Sequence, residues 1–261
     1  MNSHLHIIRA VTNLHVGSGN ANVGIIDNLI QRDVLTNFPN INSSGFKGAM
    51  RDHCKNWKQE DIKEVFGSSP NDRNDMAQGN YRFFDCRLLG IPVRTNTEQY
   101  VVATCPGLIN DFVDFVNLFG MKWPENHKIN PVKEVAASWP VSGGLEVEDK
   151  LYEKIERTSY PILPKLFGKG CKVLVFPDEE LTILCDDYHL PVMARNCLET
   201  GKENLWYEQV LPRESVLFTV IQSPDEHYKF SGEMLVQIGA NASIGYGFCK
   251  ISELSYENRH Y

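Results

Sequence analysis

The sequence lacks any hydrophobic run that approaches the roughly 20 residues of a membrane-spanning helix. Its first residues lack the basic region and the cleavage-like site of a secretory signal, so we expect a cytoplasmic protein without a membrane partner. The seven cysteines are odd in number and never spaced as Cys-x-x-Cys, which argues against a zinc site or a disulfide framework. No internal repeat of about 20–50 residues is present, so a solenoid is not expected.

The sequence also lacks an excess of basic residues, since its formal net charge is −7. A free-standing nucleic-acid-binding domain usually has a basic balance, so the total charge counts against one. The charges are unevenly distributed, however, because acids concentrate at 146–149 and 178–187 while basic residues cluster early, at Arg32, Lys47, Arg51, Lys55 and Lys58. An acidic protein with one basic groove would depend on repeated copies or on partners for its affinity for a nucleic acid.

The pattern of apolar residues predicts an α+β fold in one domain of 261 residues. Helical periodicity covers 44–66, where Ser44 is predicted to cap the helix, and 107–119. A strand–turn–strand pattern within 191–212 predicts a hairpin whose tip lies at 199–202. Further strands are predicted at 5–11, 23–32, 81–94, 100–104, 172–176, 216–222 and 248–251.

One stretch, 15–51, concentrates residues suited to a polyanion. It combines the small-residue loop Gly17-Ser18-Gly19, an acid after an apolar triplet and a Gly-Lys-Arg turn. Backbone amides in such a loop, beside Lys47 and Arg51, suit a chain of phosphates. The glycine spacing matches neither the GxGxxG dinucleotide loop nor the Walker loop, which argues against a nucleotide cofactor.

Three residues carry possible chemistry, and each has an ordinary structural alternative. His15, beside the glycine loop, suits general acid–base work or a hydrogen-bonded structural role. Asp27 suits a divalent cation or a positioned water, and it can equally cap a turn. Glu208 lies beside Trp206 and Tyr207, aromatics that suit base stacking or packing, and by itself Glu208 is typical of a solvated strand residue.

Four blocks between residues 15 and 250 occur in an order and spacing that together are specific. They contain Ser44-Gly-Phe-Lys47-Gly-Ala-Met-Arg51, Phe84-Asp85-Cys-Arg, Leu205-Trp-Tyr-Glu208-Gln-Val-Leu-Pro212 and Gln237-Ile-Gly239-Ala-Asn-Ala-Ser-Ile-Gly245-Tyr-Gly247. With them the chain resembles the RAMP superfamily, and within it the repeating backbone subunits of Cmr (type III-B CRISPR) effector complexes. Two positions depart from the family pattern: Ala240 stands where a second glycine is common, and Tyr246 where a lysine often lies.

The resemblance implies an RRM-like (ferredoxin-like) core with an inserted β-hairpin thumb and Gly-rich loops. It implies a single RAMP domain over 1–261, with a loop at about 67–80, an irregular insert at about 124–170 and the thumb hairpin at about 191–212. Copies would stack head to tail along a guide RNA (crRNA), together with other CRISPR complex subunits. Such a ribonucleoprotein would cut complementary target RNA at regular intervals, as an endoribonuclease that uses a divalent metal ion, Mg or Mn. Repetition along one RNA would compensate for the acidic net charge.

The resemblance also implies roles for particular residues. Asp27 would be the catalytic acid and the metal ligand, with His15 and Glu208 supporting it. The residues expected to bind RNA are Gly17, Ser18, Gly19, Arg32, Ser44, Lys47, Arg51, Gly239, Gly245 and Gly247. Two alternatives remain open: a non-catalytic guide-RNA-binding scaffold in which Asp27 serves only a turn, and a metal-free RAMP nuclease that processes precursor guide RNA through His15.

Overall fold

The computed structural model describes residues 1–19, 24–68, 76–121, 128–199, 202–224 and 228–254. Residues 200–201 at the tip of the predicted hairpin and parts of the predicted loop and insert lie outside the described residues. Across the described ranges, none of the helices combines the length and hydropathy that crossing a membrane requires.

The secondary structure of the described chain is mixed. Its helices are α1 (Ser43–His53), α2 (Gln59–Phe66), α3 (Pro106–Leu118), α4 (Leu163–Phe167) and α5 (Asp178–Leu184). Its strands are β1 (Asn2–Ala10), β2 (Asn40–Ile41), β3 (Arg82–Phe83), β4 (Cys86–Val93), β5 (Val101–Thr104), β6 (Ala136–Ala137), β7 (Leu145–Val147), β8 (Lys150–Tyr152), β9 (Glu156–Arg157), β10 (Val173–Val175), β11 (Val192–Glu199), β12 (Lys202–Gln209), β13 (Val216–Ser223), β14 (Glu233–Gln237) and β15 (Phe248–Glu253).

The long strand β1 lies inside a large mixed sheet. It pairs antiparallel with β13 on one side and with β15 on the other, and β13 pairs in turn with β4. The strands follow the order β14-β15-β1-β13-β4-β5-β10-β6-β9. The four inner antiparallel strands therefore have the order β15-β1-β13-β4, and the stretch predicted to be an irregular insert contributes β6 and β9 to the far edge.

Helices cover both faces of this sheet. Successive strand residues point to opposite faces, and in β1 Ile7 joins the hydrophobic cluster of α3 while Ile8 joins that of α1. On one face α1 contributes Phe46, and on the other α3 contributes Phe112. Because neither face of the inner strands is open to solvent, we expect function at the ends of the strands and in the loops beyond them.

The predicted helix over 44–66 is wrong in its continuity and in its cap. The structure breaks it after His53, and α2 begins only at Gln59. The N-cap residue is Asn42 rather than Ser44, and Asn42 makes no side-chain cap hydrogen bond. The carboxylate of Asp85 caps the helix instead, since its Oδ1 accepts the Ser43 N–H at 2.6 Å. The cap comes from a distant part of the chain, which local sequence does not reveal.

The predicted strand over 23–32 is also wrong over its described part. Residues 24–32 form only isolated bridges, of Asn28 with Glu208, Ile30 with Gly17 and Arg32 with Pro39. Each bridge has a different partner segment, so no ladder develops. The hairpin predicted within 191–212 is confirmed as the antiparallel pair β11–β12.

Candidate active site

Four segments that are far apart in the chain meet at one end of the inner strands. They are the loop after β1, the segment 24–32, the base of the β11–β12 hairpin and the loop between β14 and β15. Backbone hydrogen bonds of 2.9 Å join them, from Leu14 N to Leu211 O, from Gln209 N to Asn28 O and from Ala240 N to His15 O. The first Gly-rich loop, which follows β1 and contains His15, therefore lies against the second Gly-rich loop, 238–247, between β14 and β15.

The ring of His15 is fixed and has a defined tautomer. The residue is 5% exposed, and its Nδ1 lies 2.7 Å from the carbonyl oxygen of Gln209. Because a carbonyl oxygen can only accept, Nδ1 carries the proton and Nε2 of the neutral ring is the acceptor. Nε2 faces Gly17, where an added Cβ would lie 3.2 Å away. His15 thus has the structural bond that the sequence left open, and it also has a nitrogen able to take a proton.

Glu208 is a buried, fully bonded carboxylate rather than a solvated strand residue. It is 7% exposed. Its Oε2 accepts hydrogen bonds from Arg195 Nη1 at 2.8 Å and Asn241 Nδ2 at 2.9 Å, and its Oε1 accepts from Trp206 Nε1 at 3.1 Å. Burial alone raises the pKa of the Glu208 carboxyl, but the bonds from Arg195 and Trp206 and the nearby positive charge outweigh it, so the pKa lies below its usual value. Glu208 therefore holds the hairpin to the second Gly-rich loop.

Asp27 is exposed, and the hairpin backbone holds its carboxylate. The Tyr207 N–H donates to Asp27 Oδ2 at 2.7 Å, and the next amide, Asn28 N–H, donates back to the Tyr207 carbonyl at 3.1 Å. Nothing in the described part of the chain donates to Asp27 Oδ1. The same carboxylate thus serves the backbone through one oxygen and faces solvent with the other.

The donor set around Asp27 suits a divalent ion that brings most of its ligands from elsewhere. In the described ranges, no group of three or more His, Cys, Asp or Glu side chains is arranged to hold a metal ion. Magnesium is commonly bound by one or two carboxylates, with water and substrate phosphates completing its octahedron. A single exposed carboxylate oxygen therefore fits a metal shared with RNA, whereas it does not fit an all-protein cage.

Ser44, Lys47 and Arg51 lie on one stripe of α1, because their spacing of three and four residues repeats the helical turn. Ser44 is exposed, and Lys47 and Arg51 are half-buried. Burial, together with the neighbouring charge of Arg51, lowers the pKa of Lys47. Arg51 Nη1 donates to the carbonyl of Ser68 at 3.2 Å, whereas Lys47 has no hydrogen bond or ion pair within the described residues. The stripe presents positive charge that a phosphate would neutralise.

Arg32 faces the protein interior instead of a groove. Its side chain is 12% exposed and pairs with Asp187 at 2.8 Å, and its Nη1 donates to the carbonyls of Cys185 at 2.7 Å and Asn37 at 2.9 Å. Its Nε and Nη2 atoms are buried, so the donors that the hydrogen bonds of Nη1 leave over are out of reach of RNA. Its RNA-binding role stays a prediction, while its contacts favour a structural one.

The glycines predicted to bind RNA divide into two kinds. A Cβ on Gly239 would lie 2.3 Å from the His15 carbonyl oxygen, and one on Gly247 would lie 2.0 Å from the Ile238 carbonyl oxygen. These two glycines are therefore required for loop packing. Gly245 has a φ of 83° and open space around it, and Ser18 and Gly19 are exposed. Their contacts with RNA remain predictions.

Three residues of the site received no role from the sequence. Arg195 and Asn241 bind Glu208, and Gln209 binds His15. Gln209 lies in the third block of the family resemblance and Asn241 lies in the fourth, while Arg195 lies on the paired strand β11. Asn241 has a left-handed φ of 66°. Asn adopts this conformation more readily than most residues, so an Asn in a Gly-rich loop is a sequence signal for it.

This constellation, at the end of a sheet covered by helices, belongs to a protein of the RAMP superfamily: the family matches residues 7–250, so the chain is a member of it. A curated relative, the CRISPR system Cmr endoribonuclease Cmr4 of Pyrococcus furiosus, is 26% identical over 97% of this chain and 96% of its own length. A subunit of the type III-B Cmr-beta complex bound to cognate target RNA has a similar fold, with a TM-score of 0.80, 20% identity and coverage of 97% and 98%. Oligomeric Cmr4 of Pyrococcus furiosus is likewise similar, with a TM-score of 0.74, 20% identity and coverage of 98% and 100%.

Proposed function

We propose that this chain is the repeating backbone subunit of a type III-B CRISPR ribonucleoprotein that binds guide RNA as a filament and cleaves complementary target RNA at regular intervals. The exposed Asp27 carboxylate, held against the hairpin backbone within the site that also contains His15, is the observation that carries the proposal. The similarity to an endoribonuclease over nearly the full length of both chains supports it. The partners are guide RNA, target RNA, further copies of the chain and other subunits of the complex, all in the cytoplasm.

Each part of the fold has a role in this proposal. The inner strand order β15-β1-β13-β4 is that of an RRM-like core, to which α3 and α4 add a further layer. The hairpin β11–β12 is the thumb, and residues 1–261 are a single RAMP domain. Since helices cover both faces of the sheet, RNA follows the loops and α1 rather than the open sheet face that an RRM uses.

The guide backbone contacts the α1 stripe in this proposal. Ser44, Lys47 and Arg51 supply a hydroxyl and two positive charges, and the exposed Ser18 supplies a further hydroxyl, since its own N–H donates to the Leu29 carbonyl. A phosphate beside Lys47 and Arg51 relieves their mutual repulsion, which adds to the effect of burial in lowering the pKa of Lys47. Few such contacts per copy suffice when many copies bind one RNA.

Target cleavage takes place at Asp27. The 2′-hydroxyl of a target nucleotide attacks the adjacent phosphate, so that an O2′–P bond forms, the P–O5′ bond breaks and the departing O5′ takes a proton from water. The free oxygen of Asp27 accepts the hydroxyl proton or holds a divalent ion, and His15 Nε2 is a second proton acceptor within the site. When bound, Mg²⁺ or Mn²⁺ supplies charge stabilisation at the phosphate. The bond network of Glu208 keeps the hairpin in place.

The non-catalytic scaffold is a second candidate, because the bond from Tyr207 N–H shows that Asp27 has a structural use. Asp27→Asn and Asp27→Ala separate the two functions. Asn keeps an oxygen that can accept this N–H but loses the charge, whereas Ala loses both. We expect both variants to assemble with guide RNA and to lose target cleavage. If the assembled Asp27→Asn complex cleaves at the wild-type rate, Asp27 is only an anchor.

Metal-free processing of precursor guide RNA is a third candidate, favoured only by the acceptor nitrogen of His15. Incubating the isolated chain with precursor RNA in a chelator tests it. We expect no cleavage there, and we expect target cleavage by the complex to require Mg²⁺ or Mn²⁺. Cleavage of precursor RNA in chelator, abolished by His15→Ala, would favour the third candidate.

A further inference from the structure

The side chain of Gln209 is a fully buried amide at the end of β12, away from any surface that RNA could reach. Its Oε1 accepts a hydrogen bond from Ile30 N–H at 3.3 Å, and its Nε2 donates to the carbonyl of Asp187 at 3.3 Å. A buried amide is stable only when its polar atoms are bonded in this way. The side chain therefore joins the segment that carries Asp27 to the loop after α5.

The backbone of the same residue binds the two other parts of the site. The Gln209 carbonyl accepts the His15 Nδ1–H at 2.7 Å, and the Gln209 N–H donates to the Asn28 carbonyl at 2.9 Å. Asn28 directly follows Asp27. Gln209 thus contacts His15. It also contacts the segment that carries Asp27 at Asn28 and at Ile30, on both sides of Leu29.

The far end of this connection is itself anchored. Asp187, whose carbonyl accepts the Gln209 amide, pairs with Arg32 at 2.8 Å, and Arg32 also donates to the Cys185 carbonyl. Arg32 belongs to the segment 24–32, so the bonds form a closed loop from Asp27 through Arg32, Asp187 and Gln209. This loop accounts for the inward orientation of a basic residue that the sequence suggested for RNA.

We propose that Gln209 is a positioning residue that sets the placement of Asp27 relative to His15, and so controls the rate of target cleavage without contributing to RNA binding. The inference rests on the proposed function, because it assigns Gln209 to the cleavage site of Asp27. A displacement of about 1 Å in a reacting group costs roughly 100-fold in rate, so a loosened segment slows the reaction even when RNA is fully bound.

The test uses Gln209→Met in the complex assembled with guide RNA. Methionine has a similar volume and keeps the backbone bonds, but it removes the bonds to Ile30 and Asp187. Single-turnover cleavage is measured at saturating complex, and target affinity is measured separately. We expect affinity within about twofold of wild type and a cleavage rate lowered about tenfold to 100-fold. The matched control is Gln222→Met, which removes a glutamine bond to Ser3 on β1 and should leave the rate unchanged.

An unchanged saturating rate for Gln209→Met, or a loss that saturating complex fully restores, overturns the inference. Asp27→Asn is measured beside it: an active Asp27→Asn overturns the proposed function, whereas an inactive one beside an unaffected Gln209→Met overturns only the positioning role. If Gln209→Met does not assemble, Gln209→Glu takes its place. Its protonated form can donate to the Asp187 carbonyl, so the ratio of the wild-type to the variant rate should shrink as pH falls from about 8 to 6. A ratio independent of pH overturns the inference.

Discussion

The carboxylate of Glu208 should be a main source of stability for the hairpin and the loop beside it. Its three bonds come from Arg195, Trp206 and Asn241, and only 7% of the residue is exposed. Removing one partner of a buried ion pair costs about 3–5 kcal/mol, and a bond to a charged group contributes about 1.5–3 kcal/mol. Glu208→Ala should therefore lower the free energy of unfolding by about 3–5 kcal/mol. Glu208→Gln, which keeps size and one acceptor, should cost about 1.5–3 kcal/mol.

Thermal unfolding of the isolated chain measures this effect. In chains of this size about 1 kcal/mol corresponds to roughly 2–4 °C, so Glu208→Ala should melt about 6–20 °C below wild type and Glu208→Gln should lie between the two. The exposed Glu134→Ala is the matched control and should melt with wild type. A shift for Glu208→Ala of less than about 2 °C would refute the assignment of a stabilising buried pair.

The pH dependence of the same measurement has a definite sign. The pKa of Glu208 is lower in the folded chain than its ordinary value of 4.5, because the bonds to its charged form outweigh burial. Its contribution is therefore complete above pH 4.5 and is lost as pH falls through the folded pKa. The difference in stability between wild type and Glu208→Gln should be constant near neutral pH and shrink below pH 4.5. A difference that grows in acid would contradict this.

Two further predictions use paired variants. Gly239→Ala should lower the melting temperature more than Gly245→Ala. Both glycines have a φ near 82–83°, but only a Cβ on Gly239 meets the His15 carbonyl. Equal shifts would show that the loop relieves this contact without losing stability. Lys47→Ala should weaken binding of guide RNA and reduce its salt slope by about 0.7, as expected for one phosphate contact with single-stranded RNA, whereas Lys58→Ala at the start of α2 should not. Identical salt slopes for both lysine variants would remove Lys47 from the guide contact.

The local sequence pattern was sufficient to predict a strand or a helix where the spacing of its apolar residues decides its secondary structure. The β1 strand, α3 and the β11–β12 hairpin follow the predicted ranges closely, because alternation and helical periodicity act over a few neighbouring residues. The break between α1 and α2 and the cap of α1 were not predictable in this way. The cap is the carboxylate of Asp85, which lies 42 residues from Ser43.

The sequence by itself predicted His15, Asp27 and Glu208 as the residues of the cleavage site, because acids, imidazoles and glycine loops in a family order are visible along the chain. Only the tertiary structure decided their states. Glu208 is buried because Arg195 and Asn241 reach it from 13 and 33 residues away, and His15 has its tautomer because of a carbonyl 194 residues away. Burial and hydrogen bonding depend on neighbours in space, and those neighbours exist only after the four segments have met.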